Sequence, residues 1–373
     1  MNKALFLILT SVFFFPLAYG QKMQEPTPYK LIVNTPFNTP KDAKIFVTSS
    51  SSACTQKPDC ISGIKLSLNQ WQFNLSRSQL GELSISRGNE QTFASDSSGS
   101  KIAPKAFFKE RSLKIEIINV VNWTDFGELK KVGNFQEFDD FYSPELNNKR
   151  KIVVRLPDDY HHSNKAYPVI YMHDGQNSFD YKETAYGVDW SMDDRLSKMV
   201  KEGLVRDAIV VGIYHKERGR EFNYEDQGHL YSKFLVKTVK PLIDRSFRTL
   251  PDKKNSFLLG SSYGSIISFT TLWLYPDVFG RAAGLAFHAG FFSNMLFRFL
   301  NSVPTLPLDN RIYLDHGDQG MDKFFFRANR IFIDELSRRL PKGQFQYFTY
   351  KYTDHTETDW ARRLHIPLKF LLD

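Results

Sequence analysis

A serine between two glycines is the residue pattern in this chain with the clearest chemical potential. Ser262 lies in the run Gly260-Ser-Ser-Tyr-Gly264. An apolar stretch, residues 256–259, precedes the run and an apolar-periodic stretch, residues 265–274, follows it, which predicts a strand, a tight turn and a helix. The turn presents the serine hydroxyl at the helix N-terminus, where the helix dipole favours developing negative charge. The pattern therefore predicts Ser262 as a catalytic nucleophile.

A serine hydroxyl of ordinary pKa needs a general base, and in this topology the base comes late in the chain. His288, His316 and His355 are the histidines in usable late positions. His355 follows the last strand pattern and precedes the last helix pattern, so it is predicted as the base. His288 follows an earlier strand and is predicted to line the substrate pocket.

The third group of such a site is a carboxylate that orients the histidine and stabilises its charged form. The run after Leu314 contains Asp315, Asp318 and Asp322. Asp315 belongs to the end of a predicted strand, and the other two belong to the loop that follows. The residues alone allow any of the three to serve as the acid.

Stabilisation of an oxyanion requires two N–H groups aimed at the same point. The backbone N–H of Tyr263, directly after the nucleophile, is predicted to supply one of them. The other is predicted to come from Gly175 or Gln176, in the loop after an early strand. His173 and Asp174 of the same loop are predicted to line the substrate pocket together with His288.

The residues that could do this chemistry are distributed over alternating strand-like and helix-like segments. Continuous apolar strands between helices are typical of a parallel sheet buried on both faces. We therefore predict an α/β fold with a mostly parallel central sheet over residues 149–373. The predicted strands are 151–155, 168–172, 208–213, 256–259, 311–315 and 345–349, and the predicted helices are 230–247, 265–274, 326–340 and 360–372.

The first part of the chain has a different texture, with short alternating runs separated by turn residues. Such a pattern predicts a small all-β sandwich over residues 21–125, followed by a linker over residues 126–148. This segment resembles starch-binding-type sandwich domains. The resemblance rests on two runs, Ile85-Ser-Arg-Gly88 and Val120-Val-Asn-Trp123. The tryptophan-bearing loop that those domains use for sugar stacking is absent from the sequence, so a structural or positioning role is favoured over glycan binding.

Residues 1–20 have the pattern of a cleaved secretory signal peptide. Lys3 precedes an apolar run, Pro16 ends it, and small residues follow at Ala18 and Gly20. The run is too short to span a membrane, and an exported protein, periplasmic or secreted, is predicted. Export makes a disulfide between the only two cysteines, Cys54 and Cys60, the expected state of this pair.

Composition excludes several classes of protein. The 373 residues are 42% hydrophobic and 24% charged, with a formal net charge of +8, which is typical of a globular chain. The basic residues form no dense cluster, so no nucleic-acid partner is predicted. No integral membrane segment is predicted after signal removal. The cations Lys216, Arg218 and Arg220 follow a strand end and could meet an anionic substrate, but a solvated loop is the favoured interpretation.

Residues 149–373 resemble the putative-esterase (esterase D-like, enterochelin esterase-like) branch of the α/β hydrolases. The resemblance implies a serine hydrolase with Ser262 as nucleophile and His355 as base, and it favours Asp322 over Asp318 as the acid. Tyr263 and Ser265 depart from that family's usual residues, and we expect both to narrow the crevice beside the nucleophile. The matching runs, in family order, are 169–177, 186–189, 209–213, 240–244, 247–249, 260–264, 275–280 and the loop around His355.

These inferences predict an exported serine carboxylic ester hydrolase that works through an acyl-enzyme and needs no metal or cofactor. The expected substrate is a small-molecule or glycan-linked ester. An acyltransferase on the same fold would use the same residues and deliver the acyl group to an alcohol. A non-catalytic binding or scaffolding protein with a degenerate hydrolase region is the alternative from another class.

Overall fold

The protein is described from a computed structural model that covers residues 29–49, 54, 60–89, 91–109, 114–290 and 293–373. The predicted signal peptide, residues 1–20, lies outside the described residues. Cys54 and Cys60 form a disulfide with their Cα atoms 5.5 Å apart. No helix in the described part of the chain is long and apolar enough to cross a membrane.

The N-terminal β region, residues 29–126, is a sandwich of short strands. Among its described residues, two four-stranded sheets have the orders β4-β5-β1-β9 and β3-β2-β6-β8, and β10 pairs with β7. Val33 and Phe73 of the first sheet share one core with Val47 and Ile85 of the second, as predicted for a β sandwich. The strands are β1 (Tyr29–Asn34), β2 (Phe46–Thr48), β3 (Ile61–Ser62), β4 (Ile64–Ser67), β5 (Gln70–Leu75), β6 (Glu82–Ser86), β7 (Ala94–Ser95), β8 (Lys105–Ala106), β9 (Ile115–Asn119) and β10 (Asn122–Trp123).

The C-terminal region, residues 134–373, is built on one large sheet. Its described strands have the order β11-β12-β14-β13-β15-β16-β17-β18. β12 runs antiparallel to β11 and β14, and the remaining neighbours are parallel, so the predicted α/β fold with a mostly parallel sheet is confirmed. The strands are β11 (Asn134–Ser143), β12 (Asn148–Leu156), β13 (Val169–His173), β14 (Ile209–Ile213), β15 (Ser256–Ser261), β16 (Arg281–Leu285), β17 (Arg311–Gly317) and β18 (Phe345–Tyr350).

Helices cover both faces of this sheet, and each face has its own core. Successive residues of a strand point to opposite faces, so Tyr171 packs with Ile266 and Phe332 on one side, whereas Ile170 packs with Leu196 and Leu368 on the other. The helices are α1 (Met192–Lys201), α2 (Arg218–Glu221), α3 (His229–Phe234), α4 (Lys240–Ser246), α5 (Tyr263–Leu274), α6 (Ser293–Ser302), α7 (Gly320–Arg339), α8 (Glu357–Arg363) and α9 (His365–Leu372).

The predicted linker over residues 126–148 is wrong from residue 134 onwards. Residues 134–143 form β11, the edge strand of the large sheet, and pair with β12. The register shifts between Phe138 and Phe141, and Asp140 has a φ of 53°. This bulge interrupts the two-residue alternation by which a strand is recognised in a sequence. The C-terminal region therefore begins before residue 149.

Candidate active site

Ser262 occupies a strained turn between β15 and α5. Its φ and ψ are 53° and −121°, a combination rarely adopted by residues with a side chain. Glycine is required nearby, because a Cβ on Gly260 would lie 2.5 Å from the carbonyl carbon and oxygen of Gly264. The Ser262 N–H donates to Leu285 O of the neighbouring strand over 2.9 Å. The turn is thus hydrogen-bonded to the neighbouring strand of the sheet.

His355 lies directly against the Ser262 hydroxyl. Its Nε2 is 2.8 Å from Ser262 Oγ, and its Nδ1 is 2.7 Å from Asp322 Oδ1. The imidazole also packs edge-on against Trp360, with ring centroids 5.0 Å apart. Because the Asp322 contact makes Nδ1 the protonated nitrogen, Nε2 is left to accept the hydroxyl proton.

Asp322 lies in the first turn of α7, and its side chain is completely buried. Its Oδ2 accepts from the Gly317 N–H over 2.7 Å. Burial by itself raises the pKa of Asp322, but the hydrogen bond and charge of His355, together with Arg363, lower it, and the net pKa lies below its ordinary value. The carboxylate therefore remains charged beside His355 at neutral pH.

The other two candidate acids have different partners. Asp318 Oδ1 accepts from the Tyr352 N–H over 2.7 Å and from Gln319 Nε2 over 2.8 Å. Asp315 is completely buried and forms an ion pair with Arg363, with the nearest atoms 3.0 Å apart. Of the three aspartates left open by the residues alone, the structure brings only Asp322 to His355.

A second histidine, His288, lies beside the nucleophile. Its Nε2 is 3.5 Å from Ser262 Oγ, and its ring stacks on Phe325 and meets Tyr263 edge-on. Burial, together with the charge of His355, lowers the pKa of His288 to about 3. A histidine of that pKa is neutral at physiological pH and a poor proton acceptor, so the geometry and the electrostatics both favour His355 as the base.

The loop predicted to complete the oxyanion site follows β13. A Cβ on Gly175 would lie 2.5 Å from the carbonyl carbon of Gly212, so only glycine lets the loop approach β14 this closely. The Gln176 side chain contacts the His215 imidazole. A Cβ on Gly264, in the first turn of α5, would lie 3.3 Å from Asp174 Oδ2. The loop and the Ser262 turn are therefore packed side by side.

His173 and Asp174 have no exposed surface, so they do not line an open pocket as predicted. His173 Nδ1 lies 3.0 Å from the Tyr231 hydroxyl, and burial lowers the pKa of His173 to about 3. His288 is only 2% exposed and belongs to the wall behind the nucleophile. The sequence did not indicate that the His173 and Asp174 side chains are buried.

Arg218, at the start of α2, links this loop to the nucleophile turn. Its guanidinium is 2.8 Å from Asp174 Oδ2 and donates to Ser261 O over 3.1 Å. Burial raises the pKa of Asp174, but Arg218 and then His215 lower it, with a net decrease. The interpretation of Arg218 as part of a solvated loop is therefore wrong, whereas Arg220 is an exposed residue paired with Glu217 and Asp226.

We expect Arg218→Met to lower the free energy of unfolding by about 1–3 kcal/mol, because it removes a charged partner from the buried carboxylate of Asp174. His215, whose Nδ1 is 3.0 Å from Asp174 Oδ1, limits the loss. Urea unfolding of the purified variant measures it. Arg220→Met is the matched control and should leave the unfolding midpoint unchanged; equal losses in both variants would refute a specific role for the Arg218–Asp174 pair.

Ser265 is predicted to narrow the crevice beside the nucleophile, but in the structure its side chain lies in the protein interior. It is completely buried, and its hydroxyl donates to Ser262 O over 2.5 Å. A Cβ on Gly284 would lie 2.7 Å from Ser265 Cβ, so the bare glycine of β16 provides the room for this serine. Tyr263 is half-buried and remains beside the nucleophile.

The described residues contain no group of three or more His, Cys, Asp or Glu side chains arranged to hold a metal ion. The arrangement is instead that of a hydroxyl, an imidazole and a carboxylate joined by two short hydrogen bonds. In chemical terms it can transfer the hydroxyl proton of Ser262 to His355 while Asp322 balances the imidazolium charge.

The comparison with protein families agrees with this fold. The sequence profile of the family described as "Putative esterase" matches residues 143–370, well over half of the chain. This chain belongs to that family. The match begins within β11, which again places the start of the esterase region before residue 149.

Individual relatives of the esterase are distant. The Bacillus subtilis protein YjcH is 29% identical over 159 residues, a match that spans 40% of this chain and 60% of YjcH. The enterochelin esterase of Shigella flexneri superposes with a TM-score of 0.53 at 16% identity, over 88% of this chain and 87% of that one. An IroE-like serine hydrolase from Shewanella oneidensis gives 0.52 at 19% identity, over 64% and 80% of the two chains. These structures share the α/β-hydrolase fold.

Proposed function

We propose that this protein is an exported serine carboxylic ester hydrolase. The observation that carries the proposal is the chain of contacts Asp322 Oδ1–His355 Nδ1 and His355 Nε2–Ser262 Oγ, at 2.7 and 2.8 Å. Membership of an esterase family supports the same reaction class. The proposed substrate is a small-molecule or glycan-linked carboxylic ester.

In the proposed reaction, Ser262 Oγ attacks the ester carbonyl while His355 Nε2 accepts its proton. The tetrahedral oxyanion is held by the backbone N–H of Tyr263 and by an N–H of Gly175 or Gln176. His355 then gives its proton to the departing alcohol, which leaves an acyl group on Ser262. Water, deprotonated by His355, releases the acid and restores the serine. Asp322 stabilises the imidazolium at both stages.

Export is part of the proposal and is supported by two independent observations. Residues 1–20 have the composition of a secretory signal. The described structure joins Cys54 and Cys60 in a disulfide, a bond that persists in oxidising compartments such as the periplasm or the extracellular space.

Labelling with a fluorophosphonate probe tests the proposal without knowledge of the natural ester. We expect wild-type protein to be phosphonylated at Ser262, because the probe reacts with a serine only when a neighbouring base activates it. Peptide mass spectrometry locates the adduct. Ser261→Ala is the matched control, because this neighbouring hydroxyl is completely buried, and it should still be labelled. An unlabelled wild-type protein would indicate a non-catalytic region and overturn the proposal.

A further inference from the structure

Three side-chain amides form a row across the end of one sheet in the N-terminal β region. Asn34 of β1 is the register partner of Gln70 on β5 and of Asn119 on β9. Asn34 Nδ2 donates to Asn119 Oδ1 over 2.8 Å, and Gln70 Nε2 donates to Asn34 Oδ1 over 2.8 Å. Asn34 is 1% exposed. We call Asn34, Gln70 and Asn119 the amide row.

The amide row also bonds to the segment that carries His355. Asn34 Nδ2 donates to Tyr352 O over 3.0 Å, and Gln70 Nε2 donates to Lys351 O over 3.3 Å. Asn119 Nδ2 donates to Asp359 Oδ2 over 3.2 Å. That same carboxylate oxygen accepts from the Asp354 N–H over 2.9 Å, next to His355. Each member of the row therefore contributes one hydrogen bond to residues 351–359.

The loop that leads to Asp322 also bonds this segment. Asp318 Oδ1 accepts from the Tyr352 N–H over 2.7 Å, and the N–H groups of Asp318 and Gln319 donate to Thr353 O. Tyr352 has a φ of 56°, a left-handed conformation that costs free energy for a residue with a side chain. Arg362 Nη2 also donates to Thr353 Oγ1 over 2.9 Å. Without the amide row, the described hydrogen bonds to the segment would come from the C-terminal region alone.

We infer that the amide row is a positioning device for the catalytic base, so that the N-terminal β region takes part in esterase chemistry without touching the substrate. The inference rests on the proposed function, because it concerns the positioning of His355, the base that the proposed esterase reaction requires. Proton transfer demands that His355 Nε2 stay within hydrogen-bond distance of Ser262 Oγ. A displacement of about 1 Å at such a site costs on the order of 100-fold in rate.

Steady-state kinetics of Asn34→Ala and Gln70→Ala on p-nitrophenyl acetate test the inference. We expect kcat to fall by about tenfold or more in Asn34→Ala and by less in Gln70→Ala, with KM within about twofold of wild type, because the row orients the base and does not bind the ester. The rate of fluorophosphonate labelling should fall in parallel, since that reaction also needs Ser262 and His355. A loss of stability alone would reduce the fraction of folded protein. It would leave kcat and the labelling rate unchanged when each is expressed per folded molecule.

Two controls separate positioning from general contact between the regions. Ser97 Oγ donates to Gly187 O over 2.7 Å, a bond between the same two regions but away from His355, so Ser97→Ala should retain wild-type kcat. Gln72, on the same strand as Gln70, bonds Asn74 within the β region, and Gln72→Ala should also be unaffected. Thermal unfolding of each variant confirms that it is folded at the assay temperature.

Wild-type kcat in both Asn34→Ala and Gln70→Ala would overturn the inference, as would an equal loss in Ser97→Ala. If Asn34→Ala does not fold, Gln70→Ala and Asn119→Ala decide the question, since each removes a peripheral member of the row. Ser262→Ala belongs in the same series. Absence of esterase activity and of fluorophosphonate labelling in the wild type would refute the proposed function itself, and full activity of Ser262→Ala would refute Ser262 as its nucleophile. An active wild type, an inactive Ser262→Ala and wild-type kcat in the row variants would refute only the positioning role.

Discussion

Ser262→Ala is expected to abolish turnover of p-nitrophenyl esters, with a loss in kcat of about 10⁴-fold or more. Without the hydroxyl, His355 has no nucleophile to activate, and only binding and oxyanion stabilisation can act on the ester. Steady-state release of p-nitrophenol measures the loss. The backbone should tolerate the change, because alanine and serine meet the same strain at a φ of 53°.

The thermal unfolding midpoint of Ser262→Ala should lie close to that of wild type. The Ser262 hydroxyl is a single oxygen in contact with His355 and His288, so its removal leaves no large cavity. Ser261→Ala again provides the matched control, and it should retain most of the wild-type turnover. Substantial ester hydrolysis by Ser262→Ala, with adduct formation at another serine, would contradict the assignment of the nucleophile.

Asp322→Asn is expected to lower kcat by about 10³–10⁴-fold, with little change in KM. The reason lies in the two partners of the carboxylate, the His355 imidazole and the Gly317 N–H. An asparagine must place its NH₂ group against one of them. If the NH₂ group faces Gly317, two hydrogen-bond donors, the NH₂ and the Gly317 N–H, oppose each other. Facing His355 Nδ1, it favours the tautomer with the proton on Nε2, which cannot accept the proton of Ser262.

Asp318→Asn is the matched control for the acid, because it makes the same change four residues earlier. In the wild type, Asp318 Oδ1 accepts a hydrogen bond from the Tyr352 N–H. The side-chain oxygen of an asparagine can accept the same bond, so kcat should stay within a few-fold of wild type. The pH dependence of kcat/KM for both variants completes the comparison. A loss in Asp318→Asn as large as that in Asp322→Asn would indicate that the acid had been assigned to the wrong residue.

The turn around Ser262 could be predicted from the sequence because its closest backbone approach is local. Glycine is required at position 260 because a Cβ there would collide with the backbone of Gly264, and the strand and helix on either side are continuous apolar runs. Because the two residues in contact are only four positions apart, the requirement is visible in a short run of the sequence. The predicted positions of Ser262 between strand and helix, and of His355 between the last strand and the following helix, agree with β15–α5 and β18–α8.

Strand β11 could not be predicted in the same way. Phe138 and Phe141 are three residues apart yet pack against the same core, because the bulge between them breaks the alternation, whereas Phe135 packs against the core on the other face. An edge strand also pairs on one side only and exposes much of its surface, so its composition resembles that of a linker. Only pairing with β12, which is a tertiary interaction, shows that these residues belong to the sheet.

By itself, the sequence determined the α/β fold, the β sandwich before it and the turn that presents Ser262, because these depend on periodicity and on contacts between near neighbours. The tertiary structure decided which aspartate meets His355, because Asp315, Asp318 and Asp322 lie within eight residues and are separated by the end of β17 and the first turn of α7. It also decided the partners of Arg218 and of the amide row. Asn34 and Tyr352 are 318 positions apart, and a hydrogen bond between such distant residues leaves no pattern that a single sequence can display.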